Sequence, residues 1–261
     1  MNTMTIHEIC DCILSAEREA GELLLQARTI LAEEKSCHRD VVTAYDRKVQ
    51  DLLVQRFRAF LPEACFLCEE SPVHDDLMAE HLFIIDPIDG TMNFLKHLNH
   101  SAISVAYRSR GKLIASAVFN PFVGELFSAI RGEGAFLNGQ AIHTDPAPMS
   151  DTVICCGTAP YWPELGDETF RLMRVLFDNC LDIRRQGTAS LDLCSVAAGR
   201  AGAYFELNLS PWDYAAGELI VEEAGGVCTA FDGSLLPYDG SKSGLLAGGP
   251  LVYQQFRELI T

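Results

Sequence analysis

At 261 residues, 48% of them hydrophobic, the chain can bury a substantial core, either as one domain or as two tightly packed halves. Its formal net charge of −16 repels nucleic acid and anionic membranes, and no long Lys/Arg run offers a local exception. Met1–Thr5 hold no basic segment leading into an apolar core, so no secretory signal is expected, and the ten cysteines read as buried thiols in a cytoplasmic protein.

The apolar spacing of Ile6, Ile9, Ile13, Ala20, Leu23, Leu24, Ala27, Ile30 and Leu31 predicts one long helix over 5–33, with Thr5 and Glu8 as its capping box. A second helix is expected over 43–60, buried through Val49, Leu52, Leu53, Phe57 and Phe60 and stopped by Pro62. Strand character then dominates, at Phe66-Leu67, Leu82 to Ile85, Ala102 to Tyr107, Leu113 to Phe119 and Glu125 to Ala129, with a hairpin turn at Asn138-Gly139. Beyond the connector Thr144-Asp145-Pro146-Ala147-Pro148 the pattern alternates. Strands near 152–156, 181–185, 203–207, 226–230 and 243–247 are separated or followed by helices near 167–179, 189–199, 211–224 and 250–260. The organisation is thus mixed sheets layered with helices, in two halves, 1–145 and 146–261, that form one compact unit. No apolar stretch is long enough to span a bilayer; the one around Leu219–Val221 is broken by Glu222 and Glu223. Cys65 and Cys68 have CxxC spacing, but no second pair or nearby His completes a zinc set.

Five acidic positions stand out: Asp46, Glu69, Asp86, Asp89 and Asp213. Asp86 and Asp89 follow an apolar run and can be plain turn residues. Two neighbouring carboxylates repel, however, and a cation removes that cost. Ile88 would leave its carbonyl as a third oxygen ligand, while Pro87 stiffens the segment and Gly90 admits close backbone approach. Glu69 and Glu70 end a strand; on an extended chain they point apart, so at most one is a direct ligand. Asp46 and Asp213 lie three residues after Thr43 and Ser210, the spacing of capping boxes, so each can be simply a helix cap. The small residues Ala215-Ala216-Gly217 would let Asp213 pack against another element. Thr91 reads as the N-cap of a following helix, whose N–H groups, with that of Gly90, suit a phosphate oxygen. A site holding metal and phosphate together is what a metal-assisted phosphatase needs, and bound divalent cations would reverse the repulsive field of an acidic chain.

Two long segments resemble the inositol monophosphatase family of Mg²⁺-dependent, lithium-sensitive phosphatases. Asp86-Pro87-Ile88-Asp89-Gly90-Thr91-Met92-Asn93-Phe94 looks like that family's first motif, and Trp212 to Gly226 like its second. Weaker similarity covers Lys35–Asp46, Phe66–Ser71, Gly132–Asn138 and Gly187–Glu206. The resemblance implies an α+β fold, a layered αβαβα sandwich, and a homodimer. It implies two or three Mg²⁺ ions on Glu69, Asp86, the Ile88 carbonyl, Asp89 and Asp213. Asp46 and Thr91, with Glu69, would position and help deprotonate the attacking water. Gly90 and Thr91 would hold phosphate; Ala189, Glu206 and Asp213 would face the alcohol portion; Lys35 would stand at the mouth. Two departures are visible. Cys68 stands where the family has Gly before its Glu pair, and Leu95 to Ser101 replaces a Pro-bearing segment.

The implied reaction is direct attack of water on a phosphomonoester, with no phosphoenzyme. Met92-Asn93-Phe94 is similar to the branch acting on inositol monophosphate. Relatives acting on 3′-phosphoadenosine 5′-phosphate, fructose 1,6-bisphosphate or histidinol phosphate provide alternative substrates. A reading of another class is a protein-binding regulatory partner in transcription, since some bacterial relatives work through that machinery; direct nucleic-acid contact is not expected.

Overall fold

The computed structural model describes residues 5–28 and 30–260. Of the segment Met1–Thr5 only Thr5 lies among the described residues. In chain order the elements are α1 (Ile6–Leu25), β1 (Ala32–Glu34), β2 (Val41–Thr43), α2 (Ala44–Phe60), β3 (Cys65–Cys68), β4 (His81–Asp89), α3 (Thr91–Leu95), β5 (Ala102–Ser109), β6 (Lys112–Asn120), β7 (Glu125–Ile130), β8 (Gly134–Leu137) and β9 (Gln140–Ile142). There follow β10 (Val153–Cys156), α4 (Gly166–Phe177), β11 (Asp182–Arg184), α5 (Ala189–Ala197), β12 (Ala203–Leu209), α6 (Pro211–Glu223), β13 (Val227–Ala230), β14 (Ser243–Gly248) and α7 (Pro250–Ile260).

Two sheets carry the architecture. Strands β3 to β9 form seven neighbouring strands in sequence order, with β3 parallel to β4 and every later pair antiparallel. The second sheet has the order β11-β10-β12-β14-β13 and is mixed. Alternation along the strands sends side chains to different layers. Phe83, Ile85, Ile103 and Val105 meet Ile13, Leu24, Leu53 and Phe57 of α1 and α2. From the opposite face Ile84, Ala106 and Val118 join Leu193, Leu219 and Ile220 of α5 and α6, together with Tyr204 and Leu245 of the second sheet. The far face of that sheet packs Phe205 and Leu246 on Leu172, Leu176, Val252 and Phe256 of α4 and α7. The layer order is therefore αβαβα, as the resemblance implies.

Helix α1 starts as expected, with Thr5 and Glu8 bonding reciprocally, but it ends at Leu25 rather than near 33. The chain beyond it turns into an antiparallel ribbon, in which Ala32 pairs with Thr43 and Glu34 with Val41. Ala27 and Ile30 still pack on the core beneath α1, but without helical structure, and Leu31 is 78% exposed, so apolar spacing alone does not carry the helix past Leu25. Helix α2 has the expected Thr43–Asp46 box. At the β8–β9 hairpin Asn138 and Gly139 adopt φ of 51° and 79°, the positive pair that a tight primed turn requires. All ten cysteines are free thiols. Among the described residues no helix is long and apolar enough to cross a membrane.

Two buried acids, Glu17 and Glu218, lie outside the five acidic positions singled out above. Glu17 of α1 is inaccessible, with neither carboxylate oxygen hydrogen-bonded, and burial holds its pKa well above the usual range. Glu218 of α6 accepts from the Tyr238 hydroxyl and is pushed up to about 8 by burial, which that bond only partly offsets. An unfolded Glu ionises near about 4.3. The Glu218 contribution is therefore fully present at low pH and is lost as pH rises through about 8. Glu218→Gln keeps shape and acceptor but cannot ionise. Between pH 5 and pH 8.5 the wild-type melting temperature should fall by on the order of 5 °C more than that of the variant. Parallel curves in scanning calorimetry would contradict this.

Candidate active site

The local chain folds so that acidic side chains end up where backbone donors hold them. In α2 the Asp46 carboxylate reaches back to the Thr43 N–H at 2.7 Å and the Thr43 hydroxyl at 2.6 Å. In α6 the Asp213 carboxylate accepts from the Ser210 N–H at 2.6 Å, with Pro211 opening the helix. Both capping readings hold, and capping fixes each carboxylate in direction. Asp86 and Asp89 lie in the last four residues of strand β4 rather than in a loop after it. The ladder to β5 slips between Asp86 and Asp89, and this bulge replaces the expected turn. Asp86 Oδ1 accepts from the Ile88 N–H at 3.0 Å. Asp89 Oδ2 is held from the far side of the chain by the Ser190 N–H at 2.6 Å and the Ser190 hydroxyl at 2.5 Å.

Gly90, at φ +83°, caps α3, and Thr91 is its first helical residue rather than the N-cap. The Thr91 hydroxyl is thereby free to lie 3.1 Å from Asp46 Oδ1 and 3.0 Å from the Ile88 carbonyl oxygen. Asn93 ties this helix to the turn before α5: its amide donates to the carbonyls of His100 and Gln186, each at 2.8 Å. Glu69 and Glu70 do not diverge as extended neighbours would. Strand β3 ends at Cys68, the pair sits in a turn, and both carboxylates bond the Lys35 ammonium, Glu69 at 2.9 Å.

Glu69, Asp86, Ile88, Asp89, Gly90, Thr91, Ala189, Glu206, Asp213 and Lys35 all line one cleft of about 480 Å³. Asp46 stands behind it, bonded to Thr91. Every singled-out position thus meets at one place, although the residues come from both sheets and from α2, α3, α5 and α6. Burial pushes Asp86 and Asp213 well above the usual carboxylate range, with Glu69 and Asp89 adding repulsion to each. Asp89 is pushed up to about 7 by burial, against the pull of the Ser190 bonds. Asp46 is raised by burial, opposed by Thr43. Burial likewise raises Glu70 to about 7, Glu69 adding to it. Burial works against the Lys35 charge, yet the two glutamates hold its pKa up overall.

These carboxylates are costly as they stand, and hard divalent cations would remove the cost. The donor set fits: acidic oxygens and a main-chain carbonyl, with no soft ligand among them. Among the described residues no three His, Cys, Asp or Glu are already gathered into a cage. Glu69 is drawn onto Lys35, and Asp89 and Asp213 each spend an oxygen on a protein donor. Sequence reasoning missed Ser190, one position beyond Ala189, and also Arg185, Trp162 and Lys242, which line the cleft. Nothing local marks them, since their neighbours in the cleft are remote in sequence.

Comparison with known proteins agrees with this geometry. The chain is 38% identical over 233 residues to Nus factor SuhB of Vibrio cholerae serotype O1, covering 87% of each. The crystal structure of the extragenic suppressor protein suhB from Bartonella henselae matches with a TM-score of 0.89 and 33% identity, over 97% of this chain and 98% of that one. A structure described as IMPase/NADP phosphatase complexed with Mg²⁺ and phosphate matches with a TM-score of 0.89 and 28% identity, over 99% and 97%. The profile of the inositol monophosphatase family spans residues 6–261, and with both motifs converging on one cleft, the chain belongs to that family.

Proposed function

We propose that this protein is a Mg²⁺-dependent phosphomonoesterase acting on a small sugar or polyol phosphate, inositol monophosphate first among them. The observation that carries the reading is the convergence of Glu69, Asp86, Asp89 and Asp213 on one cleft, beside a Thr91 hydroxyl bonded to Asp46. Glu69, Asp86, the Ile88 carbonyl, Asp89 and Asp213 would hold two or three Mg²⁺ ions. When bound, Mg²⁺ supplies positive charge to the phosphoryl oxygens and makes water acidic enough to act near neutral pH. Thr91 donates to Asp46, so its oxygen lone pair is free to accept a hydrogen bond from the attacking water. Asp46 takes up that proton through the Thr91 hydroxyl. Gly90 and Thr91 open α3, where first-turn N–H groups lack helical partners and suit a phosphate oxygen. No side chain is phosphorylated in this scheme.

The reading extends to a cytoplasmic homodimer sensitive to Li⁺, in which residues 1–145 and 146–261 work as one catalytic unit. Helix α6 supports the last point, because it carries Asp213 yet lies between both sheets. A second reading, a protein-binding role in transcription, is favoured by the Nus factor name of the V. cholerae relative. The gathering of Glu69, Asp86, Asp89 and Asp213 on one cleft favours catalysis over a scaffold, which has no need of them. A panel of phosphomonoesters, inositol monophosphate included, is the test. Phosphate release is expected only with Mg²⁺, reduced by Li⁺, and without a trapped phosphorylated side chain. No release from any ester would reject the enzyme and leave the binding role.

A further inference from the structure

A second cavity, of about 500 Å³, shares no lining residue with the acidic cleft. Helix α6 reaches both. Asp213 in its first turn lines the cleft, whereas Glu218 and Glu222 in its later turns line the cavity. The rest of the wall comes from the β5–β6 hairpin, with Arg108, Lys112 and Leu113, and from the segment 235–239.

The acids of this cavity are answered from within the protein. Glu222 accepts from Arg131 Nη1 at 2.6 Å. Glu218 accepts from the Tyr238 hydroxyl and, pushed up to about 8 by burial, is largely uncharged at neutral pH. Asp239 accepts from the Ser241 N–H at 2.9 Å. Two of the cations are not answered. Arg108 donates to the Leu77 carbonyl at 3.0 Å and lies over the Tyr238 ring, 5.4 Å from its centre, yet it meets no carboxylate among the described residues. Its Nε is buried without a hydrogen-bond partner, a costly state for a charged donor. Lys112 makes no side-chain hydrogen bond or ion pair among the described residues. Gly111 stands between the two, and a methyl there would meet only Arg108 Nη2, at 3.5 Å, so the approach to the guanidinium is open. In a chain with 20 Lys and Arg against 36 Asp and Glu, two cations left without an acid in one cavity run against composition.

Much of the remaining wall is apolar. Leu113 and Leu236 are buried in it, whereas Met78 and Leu235 are 80% and 91% exposed at its rim. We infer that this cavity is a binding site for a small organic anion, a carboxylate carried on an apolar body of medium length. The carboxylate pairs with Arg108 and Lys112; the body covers Met78, Leu113, Leu235 and Leu236. A guanidinium takes such a group by parallel N–H bonds, and an ammonium adds a point charge. The volume lies in the range of small-molecule sites, which are mostly apolar with a few converging polar groups. The inference is independent of the phosphomonoesterase reading, since the two sites share no side chain.

Nuclear magnetic resonance titration with hexanoate tests this, with Mg²⁺ and inorganic phosphate present to occupy the acidic cleft. The amide resonances of Gly111, Leu236 and Asp239 should move along one saturating curve, and those of Gly90 and Thr91 should stay in place. Hexan-1-ol keeps the body without the charge, and acetate keeps the charge without the body. Hexanoate should bind about tenfold or more tighter than either. Lys112 is exposed and unbonded, so Lys112→Gln leaves the fold intact; it should weaken hexanoate about threefold or more and leave hexan-1-ol unchanged. In Arg108→Gln/Lys112→Gln the advantage of hexanoate over hexan-1-ol should vanish. The inference is overturned by the absence of a saturable shift at Gly111, by shifts confined to Gly90 and Thr91, or by a hexanoate affinity that Lys112→Gln does not change.

Discussion

Asp89→Asn should abolish Mg²⁺-dependent phosphate release while making the metal-free protein more stable. The two effects have one source. Asp89 is buried against Asp86, Asp213 and Glu69, and its pKa is pushed up to about 7 by that burial. Asparagine keeps the size and can still accept from the Ser190 N–H and hydroxyl, but it carries no charge. At pH 8 the wild-type carboxylate must be ionised at a cost in the fold, and the amide need not. The contribution of a raised carboxyl is lost as pH climbs through its folded value, so the advantage of the variant grows between pH 5 and pH 8. A gain on the order of 2 kcal/mol, or about 5 °C in melting temperature without metal, is expected at pH 8. Activity moves the other way. One missing ligand charge removes several kcal/mol of transition-state stabilisation, so turnover should drop by about 10³-fold or more at saturating Mg²⁺. Melting curves with and without Mg²⁺, beside a phosphate assay, check both signs. A variant that keeps most of its turnover would remove Asp89 from the metal site.

Gly90→Ala should damage the fold and the site together. The glycine sits at φ +83°, where a side chain costs about 1–2 kcal/mol in backbone strain. Its missing Cβ also makes room. A methyl would collide with the Thr188 hydroxyl and come within 3.2 Å of the Gly187 and His100 carbonyl oxygens. Those groups belong to the knot that Asn93 ties between α3 and the turn before α5. Crowding of this kind adds about 1–3 kcal/mol. The sum, about 2–5 kcal/mol, corresponds to a fall of about 5–15 °C in melting temperature. Relief of the clash would shift Thr91 and Ser190, so turnover should fall by about 10²-fold. Gly124→Ala separates the two costs, because Gly124 has φ +69° but no heavy atom within 4 Å of an added methyl. It should lose only the strain part. Equal losses for both glycines would mean that the contact with Thr188 has no weight.

What the amino-acid order reveals by itself is local. Three capping boxes, at Thr5, Thr43 and Ser210, lie within four residues and were readable because their partners are adjacent in the chain. The strands of both sheets, and the hairpin at Asn138-Gly139, follow from alternation and turn chemistry. The end of α1 was not readable. Apolar spacing continues to Leu31, but what ends the helix is pairing of residues 32–34 with 41–43, which periodicity cannot register. The site divides in the same way. Asp86, Asp89 and Asp213 advertise themselves through motif spacing. That Ser190 grips Asp89, that Lys35 gathers Glu69 and Glu70, and that Glu206 anchors Ala159 depends on contacts across 101, 34 to 35 and 47 positions. Such distances are set by sheet order, and only the folded chain supplies them.

Glu17 and Glu218 bear on a quantity that composition treats as simple. Counting side chains assigns both a full negative charge, within a total of −16. On the buried side of α1, with neither carboxylate oxygen bonded, Glu17 is shifted by burial towards its protonated form; Glu218, pushed up to about 8, largely keeps its proton at neutral pH. Electrophoretic mobility and ion-exchange behaviour therefore reflect a less anionic molecule than its formula suggests. Long-range repulsion of an approaching phosphate ester is weaker by the same amount, which eases diffusional capture before any close contact forms.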